Sequence, residues 1–372
     1  MRIAVDARPL SMPTTGISRY TQELLARLIP CQRHQWFLYS DRPFAVPALS
    51  AEGAHARANL HLHHGQHPLP GKSTPFAQWM FPRWARRDGI EVFWSPRHHL
   101  PLLLPANIRQ VVTIHDLVWR EHPETMAMLN KLLERQLMPR SVARADRILT
   151  VSQATARAVQ DAFHVSDGVI TTTPLAAFCG READALAQDS PMGGRPYILF
   201  VGTMEPRKNL TRALRAFAAI IRQGVTSHRF CLAGGSGWGR QDIASLARDL
   251  GIEDYVQVLG RVTDERLQSC YAHADMLLMP SLYEGFGLPL LEAMRHGVPV
   301  ITSNVASMPE VAGEGGLLVD PHSEQAIAAA LLLLIRDRRL HRHKSEQARL
   351  QASQFSWQRC ADQTLAVIES LG

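Results

Sequence analysis

Lysine is nearly missing from this chain: there are four, at 72, 131, 208 and 344, and every other basic residue is Arg. A lysine inside a chemistry-bearing stretch therefore carries weight. Apolar runs of about 18 or more are absent, so no membrane-spanning helix is expected. The five cysteines are odd in number, far apart and form no C-x-x-C pair. That excludes a disulfide framework and makes a reducing cytoplasm the expected compartment. The start, MRIAVDARPL, reaches acidic Asp6 after only three apolar residues, so no signal peptide is expected. D-x-D, H-E-x-x-H, G-x-x-x-x-G-K-[ST] and G-x-S-x-G are missing too, which leaves no expected metal-ligand motif, phosphate loop or serine elbow.

What is present is ordinary for a globular protein: 372 residues, 46% hydrophobic and 20% charged. That length exceeds one ordinary core and predicts two domains. The formal charge of +6 is uneven. Residues 1–180 hold 20 Lys+Arg against 13 Asp+Glu, and residues 181–372 hold 20 against 21. The first half should face something anionic, although a general preference for Arg would give the same excess.

Short β-type runs alternate with helical ones. IAVD (3–6), WFLY (36–39), VFWS (92–95), QVVTI (110–114) and RILTV (147–151) read as strands, with helices near 17–29, 125–145 and 153–162. A polar, Gly/Pro-containing stretch at 179–196 reads as a linker. A second alternation follows, with strands at 197–201, 229–234, 255–260, 275–280 and 298–302 and helices between them. Two tandem Rossmann-like α/β halves with parallel sheets fit this pattern. The tail from 322 to 371 reads as helical.

Ligands of open α/β sheets gather at the carboxyl ends of strands, where helix N-termini favour phosphate. After strand 197–201 comes GTMEPRKN, in which Gly202 permits close approach and Arg207 and Lys208 precede a helix. Arg can fork onto two oxygens of a diphosphate, while Lys supplies a point charge. A solvated basic turn is the plain alternative. GGSGWG (234–239) lacks the G-x-G-x-x-G frame and reads as a tight turn. After strand 275–280 comes SLYEGFGLPLLEAM. Gly285 and Gly287 can turn amides toward a ligand, and Pro289 suits a first helical turn. Glu284 in the loop and Glu292 in the helix should reach one ligand at different points. Carboxylates beside a diphosphate repel it, so both are expected to hold sugar hydroxyls. Two solvent-facing glutamates are the alternative. In the first half, Gly16 stands directly before a helix, and His115 and Asp116 end a strand. HLHHGQH (61–67) looks metal-like but has no nearby Cys or acidic ligand, so a surface loop is expected.

With these residues in view, the chain resembles a retaining glycosyltransferase of the GT-B fold, in the large family of bacterial mannosyl- and glucosyltransferases. The resemblance spans nearly the whole chain. It rests on the E-x7-E pair Glu284/Glu292, PRKN (206–209), SNVASMPEVAGEGGLLVDP (303–321), TIHDL and Gly16. It implies two Rossmann-like domains facing a central cleft: 1–180 for the acceptor, 181–355 for a nucleotide-sugar donor, and a last helix at 356–372 crossing back to the first domain. It further implies that Glu284 contacts the donor sugar and Glu292 the ribose. Gly285, Phe286, Gly287 and Leu288 would meet sugar and phosphate through their backbone. Lys208 would neutralise the diphosphate, Gly260, Arg261 and Val262 would border the base, and His115 would lie by the sugar. Gly16 and Gly202 would approach the donor. Many relatives carry Arg where this chain has Thr203, and Arg207 is the candidate to replace that charge.

The implied reaction is metal-independent transfer with retention, with no cofactor beyond the donor. His115, Glu284, Arg207 and Lys208 are its catalytic candidates. The favoured donor is GDP-mannose or a related GDP-deoxyhexose. The acceptor would be a saccharide, lipid-linked, in cell-surface polysaccharide or lipopolysaccharide synthesis. Residues 73–89 mix Trp79, Phe81 and Trp84 with Arg83, Arg86 and Arg87, and could lie on the inner face of the cytoplasmic membrane. A core-facing helix with buried aromatics is the other reading. Rival functions are a nucleotide-sugar epimerase, a sugar phosphorylase and a non-catalytic nucleotide-sugar binder. No nucleic-acid partner is expected, since such a binder would not need the glutamate pair.

Overall fold

A computed structural model describes residues 1–11, 15–44, 58–65, 73–178, 189–235, 237 and 242–372. Its packing divides the chain into two compact units. One holds Met1–Arg120, Met128–Leu175 and Ser356–Gly372. The other holds Glu121–Ala127 and Ala176–Phe355.

The first unit is built on a parallel sheet of β1 (Arg2–Asp6), β2 (Gln35–Ser40), β3 (Leu60–His64), β4 (Val92–Ser95), β5 (Arg109–Ile114), β6 (Arg147–Thr150) and β7 (Ile170–Thr172). Their spatial order is β3-β2-β1-β4-β5-β6-β7. Central strands are buried on both faces, which is why β1 and β4 read as continuous apolar runs and not as alternating ones. Helices α1 (Gly16–Leu28), α2 (Ser73–Arg87), α3 (Met128–Arg144) and α4 (Gln153–Phe163) connect the strands. A capping box starts α1. Ser18 N donates to Thr15 Oγ1 at 3.3 Å, and Thr15 N donates to Ser18 Oγ at 2.8 Å.

The HLHHGQH tract departs from the surface-loop expectation. Its described part lies in β3, paired in register with β2 from Trp36↔Leu60 to Ser40↔His64, while residues 66 and 67 lie outside the described residues. The polar side chains mislead because β3 is an edge strand. His61 stacks on Phe37 with ring centroids 4.4 Å apart. His63 sits 3.2 Å from Asp88.

The second unit repeats the plan. Its strands β8 (Tyr197–Val201), β9 (Arg229–Ala233), β10 (Val256–Gly260), β11 (Met276–Met279), β12 (Val300–Ser303) and β13 (Gly316–Val319) are all parallel, in the order β10-β9-β8-β11-β12-β13. Helices α5 (Leu210–Arg222), α6 (Ile243–Asp249), α7 (Asp264–Ala272), α8 (Leu288–Arg295), α9 (Glu324–Arg336) and α10 (Arg338–Ser353) cover it. The i, i+3, i+4, i+7 spacing of Leu210, Ala213, Leu214 and Phe217 gives α5 one apolar face. That face packs with Ile327, Leu331 and Leu334 of α9 in the core. Each such Leu or Phe contributes about 1.5–3 kcal/mol on burial.

The last helix, α11 (Trp357–Glu369), belongs to the first unit. Trp357, Ala361 and Ile368 are buried on one side, and the Trp357 ring lies 6.5 Å from Tyr20 of α1. Cys360 Sγ donates to Thr173 O at 3.6 Å. In both sheets the strand order reverses beside the first strand, between β1 and β4 and between β8 and β11. Crevices at such reversals are where open α/β sheets bind ligands.

Candidate active site

The crevice of the second unit is made by two loops, one leaving β8 and one leaving β11. Gly202, at φ +144°, turns the first loop tightly; a Cβ there would stand 3.2 Å from Lys208 Cε. The chain then forms a single 3-10 turn, Pro206–Lys208, and stops at Asn209 in the left-handed region, φ +61°. Asn tolerates that conformation better than most residues. Its Nδ2 donates to Pro280 O at 2.9 Å and to Pro321 O at 2.7 Å, and Leu282 N donates to Arg207 O at 2.8 Å. These bonds lock the two loops together.

The lock brings Arg207, Lys208 and Glu284 into one cluster. Lys208 Nζ donates to Glu284 Oε1 at 2.6 Å, and Arg207 Nη1 donates to Glu284 Oε2 at 2.5 Å. Arg207 also reaches Tyr283 O at 3.1 Å and Glu205 Oε2 at 3.3 Å. Ser307 Oγ donates to the Glu284 carbonyl at 2.9 Å. Glu284 is only 8% exposed. Burial favours its protonated form, but the Arg207 and Lys208 charges outweigh that and hold the carboxyl down at about 2. Burial also pulls the Lys208 ammonium below its ordinary range, against the opposing Glu284 charge.

The sequence reading put the carboxylate at the sugar and the cations at the phosphate. In the fold Glu284 is bonded to both cations, because buried Lys208 and part-buried Arg207 side by side need a counter-charge. The bond to Glu284 leaves further N–H groups on the Lys208 ammonium, so this cation can be held by Glu284 and still serve an anion.

Glu292 lies in α8, 3% exposed, and accepts from Tyr271 OH at 2.7 Å. Gly287 caps α8 at φ +96°, where a Cβ would meet Met308 Cε at 2.6 Å. Phe286 is buried, and Gly285 and Leu288 are partly so. Gly260 ends β10 and Arg261 and Val262 follow it; Arg261 is exposed, and Gly260 O accepts from Gly234 N at 2.8 Å. Thr203 is exposed. Of GGSGWG, residues 236, 238 and 239 lie outside the described residues. Glu205, Asn209, Tyr271 and Ser307 escaped the sequence reading. Asn209 alone had a local signal, an Asn closing a short turn.

His115 and Gly16 belong to the first unit. Gly16 opens α1, although Thr14 of the same motif lies outside the described residues. His115 follows β5 and its Nε2 lies 2.9 Å from Pro96 O, so this nitrogen carries the proton. Burial, helped by the charge of His98, pushes its pKa down to about 3, which keeps the ring neutral.

Residues 73–87 form α2, and its two faces differ. Phe81 is fully buried and stacks with Trp84 at 5.7 Å, whereas Trp79 is 68% exposed. Arg83, Arg86 and Arg87 are also exposed. Gln78 bonds to Leu100 O and Leu102 N, and the next residue of that loop, Leu103, is exposed. Among the described residues no helix is long and apolar enough to cross a membrane.

Two paired sheets with crevices of this kind define a class, and the comparisons fill it in. Residues 14–176 match the family described as Glycosyltransferase Family 4, and residues 184–351 match Glycosyl transferases group 1. The chain is 32% identical to O-antigen chain mannosyltransferase B of Escherichia coli, over 98% of each chain. The chain belongs to this glycosyltransferase family. Its fold is similar to sucrose-phosphate synthase from Thermosynechococcus elongatus, with TM-score 0.77, 20% identity and coverage of 100% and 98% of the two chains. It is also similar to Anabaena Alr3699/HepE in complex with UDP-glucose, with TM-score 0.74, 19% identity and coverage of 99% of both. The fold is GT-B.

Proposed function

We propose that the protein moves a mannosyl or related deoxyhexosyl group from a GDP-sugar to a saccharide acceptor, with retention at the anomeric carbon. The acceptor is a lipid-linked oligosaccharide of cell-surface polysaccharide synthesis. Two observations support this reading: the full-length likeness to an O-antigen mannosyltransferase, and the buried Arg207–Glu284–Lys208 cluster at the second crevice.

The cluster is the observation that carries the chemistry. In a front-face substitution the bond from C1 to the diphosphate oxygen breaks, and its electron pair leaves with the diphosphate. The acceptor oxygen bonds C1 on the same face, and its proton passes to the departing phosphate oxygen. Charge therefore grows on the phosphate. Cations already fixed by Glu284 meet that charge without first reorganising, which is where electrostatic catalysis gains most. Glu284 positions Arg207 and Lys208 while its own edge faces the sugar. Glu292 takes the ribose hydroxyls, and neutral His115 is the sugar-side partner in the first unit. Fixed cations can supply the charge stabilisation that a divalent ion supplies elsewhere, so turnover is expected to persist in EDTA.

A thermal-shift panel of GDP-, UDP-, ADP- and TDP-sugars tests the donor. The largest stabilisation is expected from GDP-mannose, and a preference for a UDP-sugar would replace the GDP reading. NMR of the product settles the anomeric outcome, since an inverted product excludes front-face transfer. Donor binding with no turnover on any acceptor would favour the non-catalytic reading.

Exposed Trp79 and Leu103 with Arg83, Arg86 and Arg87 support peripheral contact with an anionic bilayer at the inner face of the cytoplasmic membrane. Co-sedimentation with anionic liposomes should be lost when the three arginines are changed to Glu. Unchanged partition would remove the membrane contact.

A further inference from the structure

The crevice of the first sheet holds polar groups that nothing above has used. Three loops reach it, from the carboxyl ends of β1, β2 and β4. After β1, Asp6 and Arg8 saturate each other: Arg8 Nε donates to Asp6 Oδ1 at 2.9 Å and Arg8 Nη2 to Asp6 Oδ2 at 2.5 Å, while Arg8 Nη1 donates to Ser73 O at 3.0 Å. That pair has little left to offer a ligand.

The groups after β4 and β2 differ. His98 is 8% exposed, and its Nδ1 lies 3.2 Å from Glu134 Oε2. Its Nε2 is buried and has no hydrogen-bond partner. His99 Nε2 shares the same Glu134 oxygen at 3.0 Å, and the His115 ring lies 5.6 Å from that of His98. Burial pulls the His98 pKa down, but the charge and hydrogen bond of Glu134, with help from Asp116, more than reverse this against the opposing Arg97. With Nδ1 held by Glu134, the partnerless Nε2 is the ring's unused polar atom, and it donates whenever the ring is protonated. The Arg97 guanidinium is a second one: among the described residues it makes no hydrogen bond or ion pair, and it lies within reach of the Asp6, Glu134 and Asp41 charges. Asp41, buried at the end of β2, supplies the opposite kind of group. Its Oδ2 is 3.5 Å from Arg42, and its Oδ1 is buried with no partner.

Partnerless polar atoms on the loops after β4 and β2, with Arg97 feeling the Asp41 charge, match one ligand chemistry well. A sugar ring presents neighbouring hydroxyls, each able to accept and donate at once. A phosphate would leave Asp41 facing a like charge. We propose that Arg97, His98 and Asp41, at the strand-order reversal of the first sheet, form a subsite for a neutral saccharide, the acceptor of the transfer. Arg97 and His98 Nε2–H donate to sugar oxygens, and Asp41 Oδ1 accepts from a hydroxyl. This assignment rests on the transferase reading above and adds to it which residues hold the acceptor.

The test is direct binding of octyl glycosides of mannose, glucose, galactose and N-acetylglucosamine, by calorimetry or saturation-transfer NMR, with and without GDP. The variants are Arg97→Met, His98→Gln and Asp41→Asn. At least one glycoside should bind saturably, and each variant should weaken it about tenfold or more. The melting temperature of Arg97→Met should hold or rise, because a partnerless guanidinium is being removed. The donor-induced thermal shift should be unchanged in all three. No saturable binding of any glycoside to the wild type would overturn the proposal. So would unchanged glycoside affinity in folded Arg97→Met and Asp41→Asn, whatever their melting temperatures. If no nucleotide-sugar shifts the melting temperature, the transferase reading fails by itself, and the glycoside panel still decides the subsite.

Discussion

The two sheets share a strand order, yet their crevices are finished differently. At the cluster of the second unit the cations have counter-charges: Glu284 holds Arg207 and Lys208, and Glu205 holds Arg207 again. In the first unit Asp6 and Arg8 cancel, while His98 Nε2 and Asp41 Oδ1 are left buried without partners. A crevice meant for a dianionic leaving group must stay folded when empty, and internal pairing of its cations achieves that. One meant for a polyol leaves single donors and acceptors without partners, a cost that bound hydroxyls would offset. On the proposed reading, the contrast puts the leaving-group charge in the second unit and acceptor recognition in the first.

The sharpest way to break that contrast is Lys208→Ala. Loss of a cation that meets the leaving group should cut turnover by about 10²–10³. Glu284 keeps Arg207, so the fold should survive, and circular dichroism checks it. Near-normal turnover would put the charge chemistry elsewhere. A smaller effect is expected from Glu292→Gln. The amide still accepts from Tyr271 but loses the carboxylate, so nucleotide affinity should fall about tenfold by calorimetry with kcat less affected.

The smallest effects separate the crevices by pH. Glu284 is held at about 2 in the fold against an ordinary 4.5. Its contribution to stability is therefore complete above about pH 4.5 and is lost as the pH falls toward 2. His98 has the opposite sign. Its pKa is raised above the ordinary 6.5, so its contribution is complete below 6.5 and is lost as the pH rises through the raised value. Glu134, Asp116, Arg97, His99 and His115 are the groups that face it. Melting curves across pH should thus flatten on the acid side in Glu284→Gln, with the depressed Glu134 and Asp275 keeping part of that slope, and on the alkaline side in His98→Gln. Identical profiles in both variants would erase the distinction.

Much of this was legible in the chain before folding, for a physical reason. Buried parallel strands appear as short apolar runs, so β1, β4, β5, β8 and β11 stood out, and α5 announced itself by its periodicity. Glu284, Arg207 and Lys208 could be singled out because each lies within a few residues of a strand end, and the fold brings them together. β3 was not, since an edge strand of alternating Leu and His needs its neighbour Phe37 to explain it. β13, a four-residue run after a cluster of glycines, needs β12 in the same way. The Glu284 bonds to both cations, the Tyr271–Glu292 bond and the His98–Glu134 pair join residues from separate elements. Only tertiary packing brings them together, and no spacing rule reaches that far.

The central claim is that fixed Arg207 and Lys208 take up the charge of the leaving diphosphate. Calorimetry on the nucleoside diphosphate that the donor panel selects, against its monophosphate, tests this most directly in the wild type and in Arg207→Ala/Lys208→Ala. The wild type should prefer the diphosphate strongly, and the double variant should bind the two nearly alike. A double variant that keeps the full preference would contradict the account.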